Sequence, residues 1–277
     1  MILGGSFGAT MQAALRGLNN VTTQLNLSAV RLATGLAINR ASEDPAGVIH
    51  SQRLRANIAA LEAESSALQR TEGAAAYADA ALGEVSDLLV EASGLQVQLA
   101  NDGALSTEEK AAIQGQIDSV VTSVDAIGGY TSYNGSNLFD GSVSLWAAGD
   151  TLDLPEISST VQGLTSIDGE DYTLADISSD GDLVGDHENA QLVLDAAISE
   201  VSTARGRIGT FQNGIRSRLD SIGTALELTT QAESLIRDTD YAFEVANFAR
   251  LRTLGSASIK TISIINDNNR TLLDLFK

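Results

Sequence analysis

Chemistry in this chain would have to be built from very few reactive side chains. It holds two histidines, His50 and His187, and no cysteine. An acid–base centre working near neutral pH is most readily made from an imidazole with a carboxylate partner, and neither histidine has an evident one in sequence. His50 is followed by Ser51, so it does not open the HExxH zinc pattern, and it reads as a surface or interface imidazole. Without cysteine there is no disulfide framework, zinc–thiolate cluster or thiol nucleophile. Gly4-Gly5-Ser6-Phe7-Gly8 has the spacing of a nucleophile elbow, which needs a strand before its serine, yet only three residues precede it. The run Ser178 to Asp186 has the composition of a calcium loop but places Val184 where an oxygen ligand belongs and Gln191 where a bidentate Glu should stand. There is no GxxxxGK[ST] phosphate loop and no Gly-rich dinucleotide fingerprint. The expectation is a protein that is not an enzyme, with no catalytic residue, no metal and no cofactor.

The elements that might position side chains are equally plain. Hydrophobic residues make up 43% of the chain but aromatics only 4%, with a single Trp146. Ala, Leu, Ile and Val in that proportion suit repetitive helix–helix packing better than a thick core full of rings. The formal charge is −19, from 36 acidic against 17 basic residues, which argues against nucleic acid or an anionic membrane as partner. No basic residue lies between Lys110 and Arg205, while residues 137–190 hold twelve acidic ones, the pattern of a solvated outer surface. No uncharged apolar run approaches the roughly 18 to 20 residues that span a bilayer. The first fifteen residues carry no basic group and do not form a cleavable secretory signal, so export would require a dedicated machine.

Met11, Leu15, Leu18, Thr22, Leu25, Ala29, Leu32 and Leu36 alternate by four and three, one face of a helix laid along another. Gly35 and Asn39 suit its end. Asp44 as cap and Pro45 at the first helical position restart the chain in a second helix, which runs unbroken by proline to Asn101-Asp102-Gly103. Ser106-Thr107-Glu108-Glu109 is a capping box opening a third helix, expected to stop at Gly128-Gly129. Asn134-Gly135, Asp140-Gly141, Asp168-Gly169 and Asp180-Gly181 then punctuate short apolar pieces, the signal of a small β-rich excursion. Helical spacing returns from Leu194 to Leu226, breaks at Arg237-Asp238-Thr239-Asp240, and resumes from about Tyr241 to Ile265 with a broad apolar face. The fold class expected is mainly α: a long antiparallel helical rod made from paired N- and C-terminal segments, with a small β-rich central insertion.

The stretch Val30 to Gly47, with Arg31-Leu32-Ala33-Thr34-Gly35-Leu36 and Asn39-Arg40-Ala41-Ser42-Glu43-Asp44-Pro45 within it, resembles the N-terminal signature of bacterial flagellin. The similarity recurs in order at Arg55-Ala56-Asn57-Ile58, Thr71-Glu72-Gly73-Ala74, Ala81-Leu82-Gly83-Glu84 and Tyr133-Asn134-Gly135, and again at Arg237-Asp238-Thr239-Asp240-Tyr241-Ala242-Phe243-Glu244-Val245. The chain departs from the family in opening Met1-Ile2-Leu3-Gly4-Gly5-Ser6 instead of with an Asn-rich stretch.

The resemblance implies a subunit that polymerises with itself into the extracellular flagellar filament. It implies segments at 1–40 and 239–277 forming filament-core helices, 41–135 and 191–238 forming the two halves of a helical rod, and 136–190 forming the acidic outer insertion. It further implies export through the flagellar type III apparatus with an export chaperone, and encounters with the flagellar cap and hook-associated proteins. The alternative within the same resemblance is a hook–filament junction protein or a minor flagellin-like adhesin. The seam expected to carry self-assembly is Leu15, Leu18, Leu25 and Leu32 against Val245, Phe248, Leu251 and Ile259. In flagellins recognised by a Toll-like innate receptor an Arg on the long helix is central. Aligning Glu84 and Leu89 with that pattern puts Glu91 at the basic position, while Leu95, Val97 and Gln98 keep the shape of the site.

Overall fold

The computed structural model of the chain describes residues 3–101, 103, 105–147, 149–167 and 169–275. Helices α1 (Leu3–Thr34), α2 (Pro45–Ala100), α3 (Thr107–Tyr130), α4 (His187–Arg237) and α5 (Tyr241–Leu275) account for most of the chain, which is 75% helical. Between α3 and α4 lie three antiparallel hairpins, β1–β2 (Ser132–Tyr133 with Ser136–Asn137), β3–β4 (Ser144–Ala147 with Asp150–Asp153) and β5–β6 (Thr165–Ile167 with Glu170–Tyr172), followed by a 3-10 turn at Leu174–Ile177. The mainly helical class with a small β-rich insertion is the fold observed, and its ends pair as α1 with α5 and α2 with α4. The chain forms two compact units, residues 1–61 with 225–277, and residues 62–224.

Local sequence explains most of the boundaries. Gly35 ends α1 in the left-handed region at φ 73°, its N–H bonded to the Arg31 carbonyl, a conformation glycine adopts at no steric cost. Asp44 caps α2 by accepting the Gly47 N–H at 2.9 Å, with Pro45 at the first helical position. Ser106 and Glu109 close the reciprocal capping box of α3, and the bond from the Ser106 N–H holds the Glu109 carboxyl below its ordinary value. Gly4 to Gly8 lie inside α1, so Ser6 stands within a helix.

Two helices outrun the sequence reading. α3 passes through Gly128-Gly129 to Tyr130, neither glycine taking the left-handed conformation that ends a helix, and Gly128 is a packing glycine: a Cβ there would lie 1.9 Å from the Ile157 carbonyl oxygen. Asn137 Nδ2 donates to the carbonyls of Gly128 and Gly129, satisfying groups that a helix end leaves open. α5 continues ten residues past Ile265 to Leu275, since that polar stretch contains neither Gly nor Pro to stop it.

In the unit spanning residues 62–224 the core is built from Leu68, Leu82 and Leu89 of α2, Ile117 and Val124 of α3, and Leu194, Ile208 and Ile215 of α4, closed by Phe139 and Leu174 from the insertion. Arg218–Glu64 at 2.7 Å, Arg216–Glu72 at 3.0 Å and Arg205–Asp79 at 3.1 Å run antiparallel between α4 and α2. Partly exposed ion pairs of this kind contribute little stability each, but they mark the register. The insertion is tied down by α3. Asp125 accepts the Ser159 N–H at 2.6 Å and its hydroxyl at 2.8 Å, Asp118 accepts the Ser179 N–H at 2.8 Å, and Gln114 donates to the Ile177 carbonyl at 2.8 Å.

Of the four turn pairs expected, Asn134-Gly135 makes a hairpin with both φ positive, at 51° and 85°. Gly169 turns β5 into β6, its neighbour Asp168 lying outside the described residues. Gly141 and Gly181 serve turns without strands. The β3–β4 hairpin turns at Gly149, which no Asn or Asp precedes in sequence.

Candidate assembly interface

Within the unit that contains both chain ends, α1 and α5 run antiparallel. Tyr241 lies over Gly35, Arg31 faces Glu244 at 3.9 Å, and a Cβ on Gly255 would stand 3.6 Å from Val21 Cγ1. Reading along α1, Met11, Ala14, Leu18, Val21, Leu25, Ser28 and Leu32 turn away from solvent; along α5 the corresponding positions are Glu244, Phe248, Leu251, Gly255, Ser258, Ile262 and Ile265. Both rows step by three and four, the spacing of two helices packed along their length. Leu251 is 2% exposed and Glu244 4%.

The structure divides the eight residues expected at the seam into two groups. Leu18, Leu25, Leu32, Phe248 and Leu251 point into the α1·α5 contact. Leu15, Val245 and Ile259 do not, being 44%, 55% and 61% exposed. The physical reason is rotation by one position. Leu15, Thr22 and Ala29 form a second row beside Ala14, Val21 and Ser28, and it is the latter row that faces α5. Sequence reasoning missed Ser28, Glu244 and Gly255, whose heptad spacing was legible but whose residue types are not those of an apolar stripe.

Backbone bonds hold the two helix corners of this unit together. The Ala37 N–H donates to the Arg237 carbonyl at 2.6 Å and the Thr239 N–H to the Gly35 carbonyl at 2.9 Å, with Leu36 bridged to Asp238. Asn39 Nδ2 braces the turn on the Leu36 carbonyl at 2.8 Å.

What the pairing leaves bare is more telling than what it covers. On α5, Phe243 is 70% exposed and Leu254 and Ile264 join Val245 and Ile259 in solvent; on α1, Leu15 and Val30 do the same. At 100° per residue Val245 and Ile259 flank the inward row of α5 on one side, Phe243 and Leu254 on the other, and Ile264 lies behind it. Fully burying one such side chain stabilises by about 1.5–3 kcal/mol, and exposed apolar residues in this number mark surfaces that meet a partner.

The other residues singled out from sequence fall elsewhere. On α2, Glu91, Val97 and Gln98 are exposed and Leu95 is buried in the core. His50 is exposed, and His187, the first residue of α4, has its Nδ1 3.1 Å from the amide of buried Gln96. In the acidic run Asp186 caps α4 through the Asn189 N–H, and among the described residues no group of three or more His, Cys, Asp or Glu could hold a metal ion. No helix of the described residues is long and apolar enough to cross a membrane.

A terminal helix pair that packs along one face and still leaves large apolar side chains in solvent fits one class: the self-associating structural subunit. Residues 8–144 match the model for the bacterial flagellin N-terminal helical region, and residues 192–276 match that for the bacterial flagellin C-terminal helical region. The chain is 30% identical to the flagellin of Bacillus subtilis (strain 168), over 94% of each chain. It is 26% identical to the flagellar filament 30.7 kDa core protein of Treponema maltophilum, over 99% of each. Its fold is shared with a putative flagellar hook-associated protein from Vibrio parahaemolyticus at a TM-score of 0.59 and 15% identity, over 70% of this chain and 99% of that one. The chain belongs to the bacterial flagellin family. It is a structural protein of the flagellar filament, with no enzymatic role.

Proposed function

We propose that this chain is a main building subunit of its filament, with α1·α5 pairs lining the centre and the α2·α4 pairs forming the layer around them. The observation that carries this reading is the set of exposed apolar residues on α1 and α5, which packing against further copies would bury. The acidic insertion then faces outward, where its charge favours solubility. Export proceeds in unfolded form through the type III apparatus with a chaperone, and growth occurs beneath the cap on a base of hook-associated proteins. The fold shared with a hook-associated protein does not separate a filament subunit from a junction protein; similarity to filament proteins over nearly the whole chain favours the former.

Electron microscopy of the purified chain after addition of filament seeds tests the reading, because a filament subunit extends seeds into long polymers whereas a junction protein stops at short rings. Long filaments are the expected result.

A second expectation concerns the exposed face of α2. Glu91 presents a carboxylate where receptor-recognised flagellins present a guanidinium, beside exposed Val97 and Gln98. Purified monomer should therefore activate a Toll-like receptor reporter line weakly, and E91R should raise the response at least tenfold, about 1.4 kcal/mol in binding. Strong activation by the unaltered chain contradicts this.

A further inference from the structure

Among the described residues the α1·α5 seam contains one buried charged group, Glu244, and we infer that the Arg31–Glu244 pair, with Ser28 beside it, selects the direction, register and partner of α1. The inference concerns pairing within one chain and stands whether or not the filament reading holds.

Glu244 occupies a core position, 4% exposed, between Tyr241 and Phe248 on α5. Its carboxylate lies 3.9 Å from an Arg31 terminal nitrogen and accepts the Asn247 amide at 3.3 Å, while Arg250 steadies Asn247 at 2.8 Å. Ser28 Oγ and Arg31 Nε are buried without a hydrogen-bond partner. Such a layer contributes little net stability, because desolvating the charges costs about as much as their attraction returns. It is specific, however, since a buried carboxylate without a cation costs far more than a mispaired apolar side chain.

The remaining layers discriminate poorly. Leu18, Val21 and Leu25 facing Ser258, Gly255 and Leu251 would exchange apolar or small residues for similar ones if the helices slid by seven positions. The charged layer would not tolerate that slide. One heptad back along α1 from Arg31 stands Gln24 and two heptads back Gly17, while one heptad forward falls on Ile38, past the end of α1. None supplies a cation. Parallel, in-register pairing of two α5 helices would bring carboxylates together, and of two α1 helices guanidiniums together. In an assembly where every copy offers the same apolar stripes, Arg31 and Glu244 make α1 choose an antiparallel α5 in one register.

Because the chain has no cysteine, introduced thiols report this directly. Val21→Cys with Gly255→Cys probes the observed register, whereas Val21→Cys with Ile262→Cys or with Phe248→Cys probes a slip of one heptad either way. Oxidative cross-linking of the full chain, free and after seeded assembly, should give the first product and little of the others. In an R31M/E244L background the slipped products should rise at least tenfold relative to the in-register one. E244Q, which keeps size and the Asn247 bond but removes the charge, should shift the ratio the same way and serves if the double variant is poorly folded. Slipped products already abundant in the parent, or a single in-register product in both variants, would overturn the inference; the latter would assign register to the Gly35–Thr239 backbone bonds alone.

Discussion

Truncation after Arg252, removing residues 253–277, abolishes polymerisation while the unit of residues 62–224 stays folded. The deleted part of α5 carries Gly255, Ser258, Ile262 and Ile265 from the seam and exposed Leu254, Ile259 and Ile264 from outside it. Its loss uncovers Met11, Ala14, Leu18 and Val21 on α1 and removes three large apolar contacts to neighbouring copies. At about 1.5 kcal/mol for each outward side chain buried, the three together supply roughly 4.5 kcal/mol per subunit, which corresponds to a rise in critical concentration of about a thousandfold. No core residue of the unit of residues 62–224 lies in the deleted stretch, so the truncated chain should retain cooperative thermal unfolding. Sedimentation after seeding checks the first point and calorimetry the second; pelletable filaments near the parent's critical concentration count against the assignment.

The second large effect is expected at Gly128→Ala. A methyl there meets the Ile157 carbonyl oxygen at 1.9 Å and its carbon at 2.9 Å, and backbone cannot rotate away as a side chain can. Either the last turn of α3 shifts or the 154–159 segment lifts, exposing Ile157 and breaking the two bonds from Ser159 to Asp125. Overpacking of this severity costs about 3 kcal/mol or more. Gly129→Ala is the control, because nothing lies within 4 Å of its added methyl, and alanine there should be neutral or stabilising by up to about 1 kcal/mol. Urea unfolding of both variants should separate them by at least 3 kcal/mol; equal midpoints would show that the close approach at Gly128 is not a constraint.

The contrast between these two glycines shows where sequence stops being informative. Gly128-Gly129 looks like a helix terminus when only neighbours along the chain are considered, and what keeps Gly128 free of a side chain is a carbonyl supplied by a residue far along the sequence. Asp44-Pro45, Ser106 with Glu109, and Asn134-Gly135 were legible because each acts on backbone within three residues of itself, so cap and turn chemistry follow from local order. The β3–β4 hairpin lacked such a marker.

The seam was half legible for a related reason. Leu18, Leu25 and Leu32 announce a face, but whether Ala14 or Leu15 completes it depends on how closely α5 approaches. Only the pairing reveals that Val245 and Ile259 point outward while Glu244 is buried. Exposed positions on a terminal helix gain meaning from the copies that cover them, and a single sequence carries no direct record of those.

The account rests on the exposed apolar residues of the terminal helix pair, the flank carrying Val245 and Ile259 among them, being where subunits meet. The variant V245D/I259D places two carboxylates on that flank without touching the α1·α5 seam, so seeded assembly monitored by sedimentation and electron microscopy tests it most directly. The expected result is a critical concentration raised at least a hundredfold, about 2.8 kcal/mol, with thermal unfolding of the free chain unchanged. Filaments that grow from this variant at the parent's concentration and rate would contradict the account.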